Sequence, residues 1–590
     1  MCGICGELFF DNHLANEQSV KIMNKAMGDR GPDHEDIYHG IWTSFGHRRL
    51  KIIDLSNASN QPFIDPSLGM TLVFNGAIYN YKELRADLKQ MGYAFYSKGD
   101  TEVILKAYHA WGENCVEKFN GMFSFALYDQ NNNSVFMARD RLGIKPLYFY
   151  KSENSLIFAS SLPALLKTGR IKSDISTEAL HYYMSLHAVV PAPHTIIEGI
   201  KKLPPATVMT VKKDGTMIQR AYWNLNFDRD AEEEKYNFND WKRYLSFTLK
   251  NAVKRRLVAD VPVGVLLSGG LDSSLIVGLL AQAGQKDLKT FSIGFESVGG
   301  EKGDEFQYSD IIARHFGTDH HKITVDSDQV LPSMDACVKA MNEPMVSHDC
   351  IGFYLLSQEV AKHVKVVQSG QGADEIFGGY HWYPPMLESK DAVQDYRNLF
   401  CDRSNDEFQN IVHEKFQGLD FTTEFIEKQF SMPGAGIPID KALRIDSTVM
   451  LVDDPVKRVD SMTMAWSLEA RVPFLDHELV ELAAKMPAEY KVGNGGKYIL
   501  KEAARELIPS EVIDRPKGYF PVPALKYIQG KYLDTVTKIL KSEACRSRGI
   551  IRNEYMDVLL ESPEAHITPL RGSKLWQVAL LEFWMQKNGI

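Results

Sequence analysis

The chain opens MCGICGE, with a cysteine directly behind the initiator methionine. Trimming of Met1 would leave Cys2 carrying a thiol and a free α-amine on one carbon, a nucleophile with its own base. The thiolate is the reactive form, and with reference pKa values of about 8.5 and about 8 neither group is strongly biased at neutral pH, so a proton passes between them cheaply. Amide cleavage by such a nucleophile also needs donors for a tetrahedral oxyanion and groups that hold the substrate. Three stretches offer them. FNGAIYN (74–80) presents Asn75 and Gly76 on a turn, GHRRLKIIDL (46–55) presents Arg49 for a carboxylate, and GDTEVI (99–104) presents Asp100 for an ammonium. Each alone is a common feature: NG is a frequent turn, and an aspartate before Thr-Glu is often a helix cap. Cys2 and Cys5 have CxxC spacing, but with no second pair or nearby histidines they make a poor zinc site.

A second centre lies in VLLSGGLDSS (265–274), between an apolar run and a helix start. Ser268, Gly269 and Gly270 let the backbone approach an anion, Ser273 and Ser274 add hydroxyls, and the helix N-terminus adds N–H donors and a favourable dipole. The string is a pyrophosphate cradle. No GxxxxGK[ST] occurs, so it is not a Walker loop. Asp272 is placed to bind magnesium beside phosphate oxygens. SGQGADE (369–375) follows another strand and supplies Asp374 as a second carboxylate. At the carboxyl ends of strands in a doubly wound sheet, both loops would face one ligand.

The elements that must position these groups change character along the chain. To about Trp223 the pattern is of short strands and turns with two helical stretches; Thr71–Phe74 and Ser134–Ala138 are strands in a mixed α/β or α+β layer structure. The polar, acidic stretch at 224–240 reads as a linker. Beyond it, apolar strands at Val261–Leu267, Thr290–Phe295, Lys322–Val325 and Val364–Val367 alternate with helices, which predicts a parallel sheet covered on both faces. From about residue 440 the strands cease, and spacing at Glu478–Lys485 and Lys497–Leu507 predicts a helical C-terminal region. This gives domains at 1–223 and 241–590 joined by 224–240.

Bulk properties agree with a multidomain globular chain. It has 590 residues, 44% hydrophobic and 24% charged, too many for one core. A net charge of −9 gives no support for a phosphate-tracking surface, so no nucleic-acid partner is expected. No apolar run is long enough to span a bilayer and no signal peptide leads the chain, so no membrane partner and a cytoplasmic location are expected. Seven scattered cysteines do not form a disulfide framework.

With RGPD (30–33) and DRLGIKPLYF (140–149), the first half resembles the class II glutamine amidotransferase domain, an N-terminal-nucleophile αββα sandwich. The resemblance implies that Cys2 attacks the glutamine amide, Asn75 and Gly76 stabilise the oxyanion, Arg49 holds the α-carboxylate and Asp100 the α-amine. Leu50, Ile53 and Ala77 complete the glutamine contacts. The second half, through the 265–274 loop, resembles the ATP pyrophosphatases. With SLEARVPFLDH (467–477), KYILKEAARELIP (497–509) and DRPKGYFPVP (514–523), the whole chain resembles the glutamine-hydrolysing asparagine synthetase family. That resemblance implies adenylation of an acceptor carboxylate, amidation by tunnelled ammonia, ATP and Mg2+, and a homodimer. It makes Asp272 and Asp374 magnesium ligands, Leu266, Ile293, Ser369 and Gly370 nucleotide contacts, and Lys517 a cation on developing phosphate charge.

Two positions depart from the family pattern. Ala77 replaces the usual acid of NGEIYN, removing a side chain near the bound glutamine. Gln371 replaces the acid of SGEG, and a neutral amide cannot take the proton released when ammonia attacks. SGQGADEIFGGYHWYPP, ESVGGEKGDEFQYSD (296–310) and EPMVSHDC (343–350) look most like the N-acetylglutaminylglutamine amidotransferase branch, which implies a dipeptide carboxylate as acceptor. Aspartate is the alternative, and a non-catalytic nucleotide-binding protein a more distant one.

Overall fold

The computed structural model describes residues 2–10, 16–295, 304–515 and 528–590, and every structural statement below concerns these. Their strands are β1 (Gly3–Phe9), β2 (His34–His39), β3 (Thr43–Arg49), β4 (Phe63–Asp65), β5 (Met70–Ile78), β6 (Gly121–Asp129), β7 (Ser134–Arg139), β8 (Tyr148–Lys151) and β9 (Ser155–Ala159). There follow β10 (Ile200–Lys202), β11 (Thr207–Lys212), β12 (Met217–Ala221), β13 (Val263–Leu266), β14 (Lys289–Phe295), β15 (Asp319–Val325), β16 (Val366–Gln368) and β17 (Glu469–Arg471).

The first twelve form two antiparallel sheets, in the orders β10-β8-β9-β1-β3-β2 and β12-β11-β7-β6-β5-β4. Alternation along each strand builds the layers. On β1, Ile4 and Leu8 point into a core shared with Val73, Ala126 and Met137 of the opposite sheet, while Cys5 packs beneath Val20 and Met23 of the helix Glu17–Ala26. On β5, Leu72 and Phe74 face away from that core, toward the helices Tyr81–Gln90 and Thr101–Trp111. The result is an αββα sandwich. Five α-helices fall within residues 1–223 of the described chain rather than the two the sequence predicts; Leu162–Leu166 and Thr177–Ser185 lie among residues too continuously apolar or buried to show a clean period.

The remaining strands form a parallel sheet ordered β15-β14-β13-β16-β17. Leu266 of β13 packs into one core and Val265 into the other, so the strand is buried on both faces, as its apolar run requires. The chain leaves β13 first toward β14 and later returns to β16 on the other side, so the order reverses at β13.

Three expectations are corrected. Strands do not cease at 440: Glu469–Arg471 is a strand at the edge of the parallel sheet. Its sequence, EAR, hides it, because two charged residues in a three-residue strand look solvent-exposed until their burial partners are seen, Arg471 Nε donating to Glu469 Oε1 at 2.6 Å among them. Asn75 and Gly76 do not form a turn but sit within β5, opposite Ser124 and Phe123 of β6. Ladder pairing overrides the turn preference of Asn-Gly. The irregular stretch after 223 ends at Asn237, which caps the helix Phe238–Arg255 in a capping box with Asp240. Leu225 and Phe227 of that stretch are buried, and Phe227 N–H donates to Gly434 O at 2.7 Å.

The two halves meet over a buried charged seam. Asp460 takes Arg30 at 3.0 Å and Lys145 at 3.3 Å, and Lys202 reaches Asp453 at 2.7 Å and Glu343 at 3.1 Å. Among the described residues no helix is long and apolar enough to cross a membrane.

Candidate functional site

Cys2 precedes β1, and its N–H donates to Asn75 Oδ1 at 3.0 Å. That bond orients the Asn75 amide and leaves its Nδ2 buried and without a partner. Arg30 Nε donates to Cys2 O at 3.2 Å. A small cavity of about 30 Å³ adjoins the thiol, and Arg49, Leu50, Ile53, Gly76, Ala77 and Asp100 all stand in its wall. The strand ends and the helix start explain the convergence. Arg49 ends β3 and its guanidinium is anchored on Ser56 O at 2.8 Å, Asn60 Oδ1 at 2.6 Å and Asp54 O. Asp100 precedes the helix Thr101–Trp111, but its carboxylate does not cap it; Oδ2 accepts the Ile78 N–H at 3.0 Å instead. Burial pushes the Asp100 carboxyl up to about 6. Burial also pushes the Cys2 thiol up, while Arg49 pulls it back. Gly76 has φ +152°, and a Cβ there would lie 2.1 Å from Met122 O, so only glycine fits where β5 meets β6.

The second cavity, about 230 Å³, opens at the carboxyl ends of β13, β14 and β16, where the strand order reverses and ligands bind in open α/β sheets. Leu266, Ser268, Asp272, Ser273, Ile293, Ser369, Gly370, Gln371 and Asp374 stand in its wall. Ser268 N–H donates to Ser273 Oγ at 3.2 Å, which folds the loop over the helix Leu271–Gln282. Gly269, Gly270 and Ser274 are not in the wall. Gly269 has φ +75°, and a Cβ on it would lie 2.7 Å from Ser309 N, so its lack of a side chain serves the close approach of the helix Phe306–Phe316. Gly270 is the N-cap of the loop helix, and Ser274 is wholly buried beneath it. Ser369 donates its hydroxyl to the Gln371 side-chain oxygen.

Sequence reasoning passes over the residue that joins the two acidic loops. Lys497 Nζ lies 2.7 Å from Asp272 Oδ2 and 2.9 Å from Asp374 Oδ2. Burial works against its charge, but the two carboxylates overcome that and hold its pKa above the ordinary lysine value. It sits at φ +56°, behind two glycines, where its only sequence signal was membership of the quoted KYILKEAARELIP string. Asp349 and Arg458 also stand in this wall, as do Glu375 and Tyr380, hydrogen-bonded at 2.8 Å. Burial pushes Asp349 up to about 6. Lys517 lies outside the described residues, as does much of 296–310.

Asp272 and Asp374 fit Mg2+ on chemistry: two carboxylates from separate loops converge on one cation position, now taken by the Lys497 ammonium. Among the described residues no group of three or more His, Cys, Asp or Glu gathers as a metal cage, so phosphate oxygens would have to complete the shell.

An N-terminal thiol in an αββα sandwich, joined to a parallel sheet with a glycine-rich loop at its switch point, defines a two-site amidotransferase and synthetase. The comparisons agree. Residues 1–223 match the glutamine amidotransferase domain model and residues 245–586 the asparagine synthase model. The Bacillus subtilis (strain 168) protein called asparagine synthetase [glutamine-hydrolyzing] 1 is 31% identical, over 100% of this chain and 97% of its own length. Asparagine synthetase B [glutamine-hydrolyzing] of Escherichia coli (strain K12) is 29% identical, over 88% of this chain and 82% of its own. The solved structure of B. subtilis glutamine phosphoribosylpyrophosphate amidotransferase with ADP and GMP is 15% identical and covers 56% of this chain and 92% of that one. Its TM-score of 0.31 is too low to carry an argument. The chain belongs to the asparagine synthetase family, carbon–nitrogen ligases that use glutamine as amido donor and consume ATP.

Proposed function

We propose that the chain hydrolyses glutamine at Cys2 and uses the ammonia to amidate a carboxylate activated by ATP in the second cavity. The observation that carries this reading is the grouping of Cys2, Arg49 and Asp100 in one cavity, with Asn75 Oδ1 holding the Cys2 N–H and Asn75 Nδ2 buried and without a hydrogen-bond partner. Cys2 Sγ attacks the glutamine side-chain carbonyl carbon, and its proton passes to the α-amine of the trimmed chain. Asn75 Nδ2 and the Gly76 N–H take the oxyanion. The C–N bond breaks, ammonia leaves with the transferred proton, and water cleaves the thioester to glutamate. Arg49 and Asp100 hold the α-carboxylate and α-ammonium.

In the second cavity an acceptor carboxylate oxygen attacks the α-phosphorus of ATP, the bond to pyrophosphate breaks, and ammonia displaces AMP from the mixed anhydride. Lys497 and the loop N–H groups are proposed to take phosphate charge. Asp272 and Asp374 would hold Mg2+, which when bound neutralises charge on the departing pyrophosphate. Lys517 is proposed as a further cation there. The two units are proposed as 1–223 and 241–590, the enzyme as a homodimer in the cytoplasm.

For the acceptor we propose the C-terminal carboxylate of N-acetylglutaminylglutamine. Gln371, a neutral amide where an acid is usual, supports it. Aspartate remains a second reading on two counts. The relatives above are named asparagine synthetases. Arg458 and Asp349 in the same wall also offer a cation and an anion for the α-carboxylate and α-ammonium that aspartate keeps through the reaction. The test is pyrophosphate release with ATP, glutamine and each acceptor in turn; turnover with aspartate and none with the dipeptide would overturn the first reading.

A further inference from the structure

The cavity beside Cys2 is not closed by its own half of the chain. Glu469 and Arg471, on the edge strand of the nucleotide-binding sheet, stand in its wall with Cys2, Arg49 and Asp100. Both are buried, 1% and 0% exposed, and Arg471 Nε donates to Glu469 Oε1 at 2.6 Å. Arg471 Nη1 donates to Arg256 O and Val258 O, each at 2.8 Å, and Nη2 is buried without a partner. An unsatisfied buried donor in the wall of a cavity is one that a ligand or a water could meet. The backbone of the same residue reaches the other cavity, its carbonyl accepting the Ser369 N–H at 2.9 Å.

We propose that the Glu469–Arg471 pair is a positioning pair for the glutamine half-reaction, supplied to the thiol's cavity by the synthetase half of the chain. The inference rests on the reading of Cys2 as the glutamine nucleophile. The charged groups facing that thiol are Arg49 from β3, Asp100 from the helix start, Glu469 and Arg471 from β17, and Arg30, which donates to the Cys2 carbonyl. Glu469 opposes a thiolate at Cys2, and Arg49 favours it. Arg471 neutralises Glu469 and fixes where its carboxylate lies. Without Arg471 the Glu469 carboxylate would lose its principal counter-charge, leaving Lys145 as a further buried cation acting on it, and a thiolate would form only at higher pH.

The test uses the full chain carrying Arg471→Met, Glu469→Gln, or both. Glutamate release is followed from pH 6 to pH 10 (about a unit either side of the thiol range), beside pyrophosphate release supported by ammonium in place of glutamine. R471M is expected to move up by about one unit the midpoint of the limb on which kcat/KM for glutamine rises with pH, an about tenfold loss at fixed pH below it. E469Q is expected to move it down, and the double variant to bring it back toward that of the unaltered chain. Ammonium-supported turnover is expected to stay within about twofold throughout, since no side-chain atom of the pair touches the second cavity. Should R471M not fold, E469Q and the double variant decide. An unmoved pH midpoint in E469Q, or parallel loss of both half-reactions, would overturn the proposal. Absence of any glutamine hydrolysis by the unaltered chain would overturn the reading of Cys2 itself, and the pair with it.

Discussion

At the scale of single residues, the cavity proposed for glutamine depends on charges held in a buried place. In the proposed role Asp100 must be ionised to hold an ammonium, yet burial pushes its carboxyl up to about 6. As pH falls through about 6 the carboxylate takes a proton, so kcat/KM for glutamine is expected to drop along a one-proton acid limb that Asp100→Asn abolishes. The stability sign is the reverse. A carboxyl raised in the folded state favours folding when protonated, fully below its ordinary 3.8, and this is lost as pH rises through about 6. D100N is therefore expected to keep or raise the denaturation midpoint at pH 7 while binding glutamine poorly. Asn75→Ala is expected to cut glutaminase kcat by about 10²–10³, the cost of one oxyanion donor, read as glutamate release. Cys2, Arg49 and Asp100 each lie in a short local string, which is why sequence alone could single out three residues that the fold brings into one cavity. Lys497 was not singled out, because its meaning lies in contacts 225 residues away in the chain, and an isolated lysine behind two glycines carries no local sign of them.

At the scale of elements, the strands that carry the site are legible to different degrees. β13 and β14 announce themselves as apolar runs because both faces are covered. β17 does not, since three residues with two charges look like a loop until the ion pair that neutralises them is seen. Asn75-Gly76 misleads in the opposite sense: a turn dipeptide locally, a strand interior once β6 is beside it. The role of Gly76 there is testable. In Gly76→Ala the new Cβ would meet Met122 O at 2.1 Å, so β5 and β6 must part, an overpacking cost of about 1–3 kcal/mol or more in denaturant unfolding, with glutamate release lost.

At the scale of the whole molecule, the two cavities belong to separate sheets and meet through β17 and the charged seam at Asp460 and Lys202. The halves are therefore expected to fail separately. Lys497→Met removes the ammonium that joins Asp272 and Asp374 and is expected to abolish pyrophosphate release while glutamate release persists. Cys2→Ala is expected to do the converse, with ammonium restoring turnover. Sequence could predict two units but not that the second lends a wall to the first, because that contact is set by packing between halves. The most direct measurement of the whole account follows amide-labelled glutamine with ATP and the productive acceptor. One labelled amide nitrogen should enter the product for each AMP and each pyrophosphate released. ADP with orthophosphate, or product nitrogen drawn from elsewhere while glutamine stays intact, would contradict it.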